Sequence, residues 1–145
     1  MEPRLLRVAD LDVHVTVSER RRTVGLTVER DATITAVIPP ALDFFNAAIA
    51  KNVAVFFITG RTDSQRQATL WNLDRAGFQG WAGLRTRPDN DHNKSIVPFK
   101  SGERKNIEEN SGYKIIANVG DQESDIDGGH TECGFKLPNP FYFIE

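Results

Sequence analysis

The chain has 145 residues, 39% apolar and 26% charged, with a net charge of −2. These values suit one soluble globular domain with a moderate core and exclude a global electrostatic pull toward nucleic acid or an anionic membrane. No apolar run approaches the roughly 20 residues of a membrane span, and the single cysteine, Cys133, excludes an internal disulfide.

The first 37 residues are rich in valine, threonine and arginine. "RLLRVADLDVHV" places Asp10 and Asp12 at the end of a mostly apolar run. Paired carboxylates at the mouth of a buried strand can hold a cation and attack a phosphate, and the same letters also fit a plain surface strand. "ERRR" (19–22) reads as a solvated charge run. In "TVGLTVERDATITAVI", Val24, Leu26 and Val28 alternate with Thr23, Gly25 and Thr27. That pattern predicts an antiparallel hairpin with one wet face.

From Ile38 the periodicity changes. "PPALDFFNAAIAKN" opens with two prolines, which suit a helix start, and Leu42, Phe45 and Ile49 recur at helical spacing. "VAVFFIT" (53–59) is a continuous apolar run, as in a parallel strand buried on both faces. A second helix follows, capped by Asp63 or Ser64 and ended at Gly77, with Ala68, Leu70, Trp71 and Leu73 on its apolar side.

"RTRPDNDHNK" (85–94) predicts a loop, and "SGERKNIEENSG" (101–112) a short exposed helix with Lys100 just before it. "YKIIANVG" (113–120) reads as another buried strand, "DQESDIDGGH" as an acidic, glycine-rich loop, and "FKLPNPFYFIE" as an extended tail. His14, His92 and His130 share no metal spacing and read as surface polar groups. Trp71 and Trp81 read as packing residues and Cys133 as a small filler. Arg61 suits either a local ion pair or a phosphate.

Alternating strands and helices predict a parallel α/β sheet, whose ligands bind beyond the carboxyl ends of the strands. Three features fall there. Thr59 and Gly60 end a buried strand, where a hydroxyl and backbone N–H groups can hold a phosphate oxygen. Lys100 can neutralise a phosphoryl group as a point charge. Asp121 and Asp125 follow the last buried strand, and clustered carboxylates there are hard ligands suited to Mg²⁺. Taken singly, each also has an ordinary structural explanation.

"VAVFFITGRTDSQRQATLWNLDRAGFQGW", "VPFKSGERKNIEENSGYKIIANVGDQESDIDGG" and "FKLPNPFYFIE" together resemble the haloacid dehalogenase (HAD) superfamily. More narrowly they are similar to its subfamily IIIB acid phosphatases, the group that includes plant vegetative storage proteins. The resemblance runs from about Ile38 to Glu145 and implies a three-layer HAD-like (Rossmannoid) α/β fold with an atypical N-terminal β-hairpin segment. It divides the chain into a β segment at 1–37 and a phosphatase domain at 38–145.

The resemblance implies catalytic roles for Thr59 and Lys100. It implies phosphate binding by Thr59, Gly60 and Lys100, and Mg²⁺ ligation by Asp121 and Asp125. The implied reaction is Mg²⁺-dependent hydrolysis of phosphomonoesters through an aspartyl-phosphate, with a phosphorylated small molecule as substrate. Neither nucleic acid nor membrane is an expected partner, and homo-oligomer formation stays open. With no signal peptide at its start, the sequence as written predicts a cytoplasmic protein, although family relatives are often secreted.

The family's first motif resembles "DxDxT" at the end of the central strand. Only "ADLDVHV" offers such a pair here, and Val13 and His14 follow it where the family has Glu-Thr. Arg7 also lies within its strand, and no cap-like insertion separates it from "IPP". Two further readings therefore stand beside the enzyme: a catalytically inactive relative that binds phosphate or serves as a storage or interaction protein, and a truncated or fused product. "DLDVHVTVSERRRTVGLTVERDATITAVIP" also resembles the opening strands of SprT-like metal-dependent hydrolases, but without their HExxH zinc helix.

Overall fold

The apolar run after Val53 dictates the centre of the molecule. The computed structural model describes residues 23–25 and 39–137. In it, Ala54–Thr62 forms β2, with Val55, Phe56, Phe57 and Ile58 all buried. Successive strand side chains point to opposite faces, so four buried residues in a row require cover on both sides. Val55 and Phe57 pack with Phe45 and Leu73, whereas Phe56 and Ile58 pack with Ile107 and Ile115.

The remaining elements supply that cover and extend the sheet. In chain order they are β1 (Thr23–Gly25), α1 (Pro39–Ala50), β2, a 3-10 turn (Asp63–Gln65), α2 (Arg66–Arg75), β3 (Gly83–Arg87), α3 (Val97–Asn110), β4 (Ala117–Gly120), α4 (Glu123–Ile126) and β5 (Cys133–Lys136). The strand order is β3-β2-β1-β4-β5, and every pairing is parallel. Helices α1 and α2 cover one face and α3 the other, giving the expected three-layer α/β fold.

Helix α1 buries Ala41, Phe45 and Ala48, one stripe at spacings of four and three. It stops where Asn52 turns left-handed at φ 57° and Val53 N–H returns to Ala48 O at 3.0 Å. Gly77 ends α2 in the same way, at φ 88°, with Phe78 N–H bonded to Leu73 O at 3.0 Å. Phe78 and Phe57 meet edge to face at 5.6 Å, and Phe45 meets Phe78 likewise at 5.1 Å.

Several local expectations are corrected. Thr23–Gly25, read from its alternation as an arm of an antiparallel hairpin, is a parallel strand with a neighbour on each edge. The rest of that hairpin, Asp10 and Asp12 lie outside the described residues, as does the tail beyond Leu137. β1 occupies the place between β2 and β4. The supposed short exposed helix is a 14-residue α3 that contains Lys100 and buries it with Arg104 and Ile107. Residues 85–87 belong to β3 rather than a loop, and the acidic loop includes α4.

The turn into α2 is opened by Thr62, whose N–H bonds Gln65 Oε1 at 3.1 Å, rather than by Asp63 or Ser64. Trp81 packs on the core, but Trp71 is exposed and stacks under the Arg75 guanidinium at 4.4 Å. Cys133 is exposed on β5 and is no core filler.

Candidate functional site

The carboxyl ends of β2 and β4 lie on either side of β1. Gly25 is level with Phe56 in β2 and with Asn118 in β4. Three residues beyond that level lie Thr59 and Asp121. Two strand spacings separate their chains, roughly 10 Å. The same count along the sequence after Gly25 gives Val28, outside the described residues.

At the end of β2 the pairing with β3 breaks. Thr59 pairs with Thr86, but Thr62 pairs with Arg87, so Gly60 and Arg61 are extra residues on the β2 side. Such bulges re-aim side chains at strand ends. Thr59 and Arg61 are both buried, and Arg61 N–H donates to Thr59 Oγ1 at 3.1 Å. That bond takes a lone pair of the hydroxyl and leaves its O–H as a donor.

On the other side of the sheet, α3 delivers Lys100 to the turn after β4. Lys100 Nζ forms an ion pair with Asp125 Oδ1, and both side chains are fully buried. Asp125 Oδ2 accepts the Gln122 N–H at 2.9 Å. Gly120 makes room for this carboxylate, because a Cβ there would overlap the Asp125 side chain.

Arg104, one helical turn after Lys100, is buried and donates to the carbonyls of Asp125 at 2.7 Å, Gly129 at 2.8 Å and Asp127. Burial lowers its pKa to about 10, against the attraction of Asp125, Asp127 and Glu108. Asn118 Nδ2 adds a bond to Asp125 O at 2.6 Å.

The rim is held by a second network. Thr86 donates to Asp63, Ser64 N–H bonds Asp89 Oδ1 at 3.0 Å, and Arg66 reaches Leu84 O at 3.0 Å. Asp91 accepts Arg87 Nε at 2.9 Å and Asn93 Nδ2 at 2.7 Å. The Arg87 bond, with the Asn93 N–H, holds its pKa down at about 2.

The structure thus joins Lys100 to Asp125 and sets Thr59 level with Asp121 across β1. Asp125, inferred from the sequence as a cation ligand, accepts Lys100 on one oxygen and Gln122 N–H on the other. Asp121, at the strand mouth and 8% exposed, keeps a position suited to a hard cation. Among the described residues no group of three or more acidic, histidine or cysteine side chains converges on a metal position. The sequence reasoning missed Arg104, Asn118 and Gln122. The signal for Arg104 was its spacing of four from Lys100, which puts both on one helical face.

This geometry can be set against known proteins. The model of the HAD superfamily, subfamily IIIB (acid phosphatase), matches residues 28–145. The chain belongs to this family. It is 39% identical over 105 residues to acid phosphatase 1 of Solanum lycopersicum, covering 72% of this chain and 41% of that protein. It is 33% identical over 111 residues to the stem 28 kDa glycoprotein of Glycine max, covering 74% and 43%.

Among solved structures, the class C acid phosphatase from Bacillus anthracis with tungstate bound superposes with a TM-score of 0.57. The identity is 18%, over 83% of this chain and 51% of that one, and the likeness concerns the fold. The chain therefore spans about two fifths of the curated relatives it matches. Subfamily IIIB members of this kind are phosphatase-like hydrolases by family, and their α/β architecture is the one described above.

Proposed function

We propose that this chain carries an acid-phosphatase site for phosphomonoesters, with Thr59, Gly60 and Lys100 receiving the phosphoryl group. The observation that supports it best is the buried Lys100–Asp125 pair beside the carboxyl end of the parallel sheet. A buried ammonium is retained only with a fixed counter-charge. Asp125 holds Lys100 in one position, where the ammonium can add its charge to phosphoryl oxygens in a site sheltered from water. The Thr59 hydroxyl donates to one such oxygen, and the bulge at Gly60 lets the backbone approach it. Mg²⁺ is the proposed cation, with Asp121 as its ligand here; when bound it would neutralise charge on the transferred group.

A second reading has its own support. The strand between β2 and β4 is followed in sequence by Leu26, Thr27 and Val28, none of them an aspartate. In that reading the chain binds phosphate without transferring it, as an inactive relative.

Hydrolysis of p-nitrophenyl phosphate with Mg²⁺, alongside calorimetric titration with inorganic phosphate, separates the two. Turnover that falls about 100-fold or more in Lys100→Met supports the enzyme, and Asp10→Asn then asks whether that aspartate supplies the nucleophile. Phosphate binding with no turnover supports the inactive relative. Absence of both overturns the phosphoryl-site reading.

A further inference from the structure

Helix α3 does more at this site than carry Lys100. Lys100, Arg104 and Glu108 recur every four residues on it, and each grips the segment that follows β4. Lys100 takes the Asp125 carboxylate. Arg104 takes the carbonyls of Asp125, Asp127 and Gly129. Glu108 faces His130 Nδ1 at 3.5 Å and accepts Ile115 N–H at 3.2 Å.

The gripped segment has an unusual backbone. Gly128, Gly129 and His130 are all left-handed, at φ 89°, 76° and 60°. For a histidine this conformation is uncommon and must be held by its surroundings. A Cβ on Gly128 would come within 2.6 Å of Ser101 Cβ, so the turn lies directly on α3. The carbonyls of alternate residues 125, 127 and 129 converge on one guanidinium.

The Arg104 guanidinium serves the three carbonyls from three separate nitrogens, Nε, Nη1 and Nη2. A lysine there carries its three donors on one nitrogen and does not reproduce that spread. Burial of Arg104 makes each of these bonds costly to lose, because the guanidinium would keep its charge with fewer partners.

We propose that Arg104 is a positioning residue for the phosphoryl site. It sets the backbone at Asp125, and through Asp125 the place of the Lys100 ammonium. Arg104 touches neither substrate nor cation in this role. The link to phosphate rests on the function proposed above, whereas the clamp on the turn stands apart from it.

The test uses Arg104→Lys and Arg104→Met, with Asp125→Asn as control. Amide hydrogen exchange reads the turn at 121–130, and calorimetry with inorganic phosphate reads the site. Exchange at 121–130 should quicken by about tenfold or more in both Arg104 variants, the effect of losing one charge-assisted bond. Peptides from β2 and β3 should stay protected.

Phosphate affinity should fall by about tenfold or more in the folded Arg104 variants. The lysine variant, which keeps the charge, should not rescue it. Asp125→Asn, which strips Lys100 of its counter-charge, should weaken phosphate binding and serves as the positive control for that readout.

Unchanged exchange at 121–130 would overturn the clamp. Faster exchange with wild-type phosphate affinity would overturn the positioning role. If wild-type protein fails to bind phosphate, the proposed function fails and exchange alone decides the clamp. Should the methionine variant not fold, the lysine variant carries the decision.

Discussion

Lys100 and Asp125 meet as an ion pair with neither side chain exposed. The lysine comes from α3 and the aspartate from α4, 25 residues apart in sequence. Removing one partner leaves a charge without its counter-ion in the interior. Asp125→Leu should therefore destabilise the fold by about 3–5 kcal/mol. Asp125→Leu combined with Lys100→Met should cost much less than the sum of the single changes. Urea denaturation of the four proteins measures the coupling, and additive single-site costs would contradict it.

Gly120 and Asp125 make a second, steric pair. A methyl group at 120 would overlap the aspartate side chain. Gly120→Ala should push Asp125 off Lys100 and cost about 1–3 kcal/mol, as overpacking does. The chemical-denaturation midpoint reads the cost, and phosphate titration of the folded variant should show weaker binding.

Phe57 lies fully buried among Phe45, Phe78 and Trp81. Phe57→Ala removes three ring contacts and leaves a void between α1, α2 and the sheet. The expected loss is about 3–5 kcal/mol, seen as a lower midpoint with an unchanged denaturant slope.

Asp91 links pH to stability. Its pKa sits at about 2 against 3.8, chiefly because of the Arg87 bond. A carboxyl lowered in the folded state contributes stability above its unfolded pKa and loses it as pH falls toward the folded value. Part of the stability should thus disappear between about pH 4 and pH 2. Asp91→Asn should flatten that limb in denaturant midpoints taken along the pH series, and an unchanged limb would count against the assignment.

Much of the fold is legible in the sequence because β2 is buried on both faces and says so in its letters. Phe45 and Ile49 betray α1 by spacing, and Gly77 marks the end of α2. Helix α3 was harder to read. Two of its three buried residues are Lys100 and Arg104, whose charged letters signal solvent unless a partner is known. That partner, the turn after β4, lies 21 to 25 residues away and has no local signature for the pairing.

β1 misled for a different reason. Val24 between Thr23 and Gly25 alternates as a half-wet strand would, yet both edges of these residues pair in parallel. Strand alternation reports faces, and edges depend on contacts with distant chain. At the site, Thr59, Lys100 and Asp121 stood out by their place after apolar runs. Asp125 was visible as a carboxylate, but its commitment to Lys100 and Gln122 was not.

Among the described residues, Thr23–Gly25 joins the two halves of the sheet. Among the described residues, β1 pairs with β2 at Thr23, Val24 and Gly25, and with β4 where Gly25 meets Asn118. The β3–β2 leaf carries Thr59, the β4–β5 leaf carries Asp121, and β1 lies between them. The width of the mouth between Thr59 and Asp121 is thus set by a strand to which neither residue belongs.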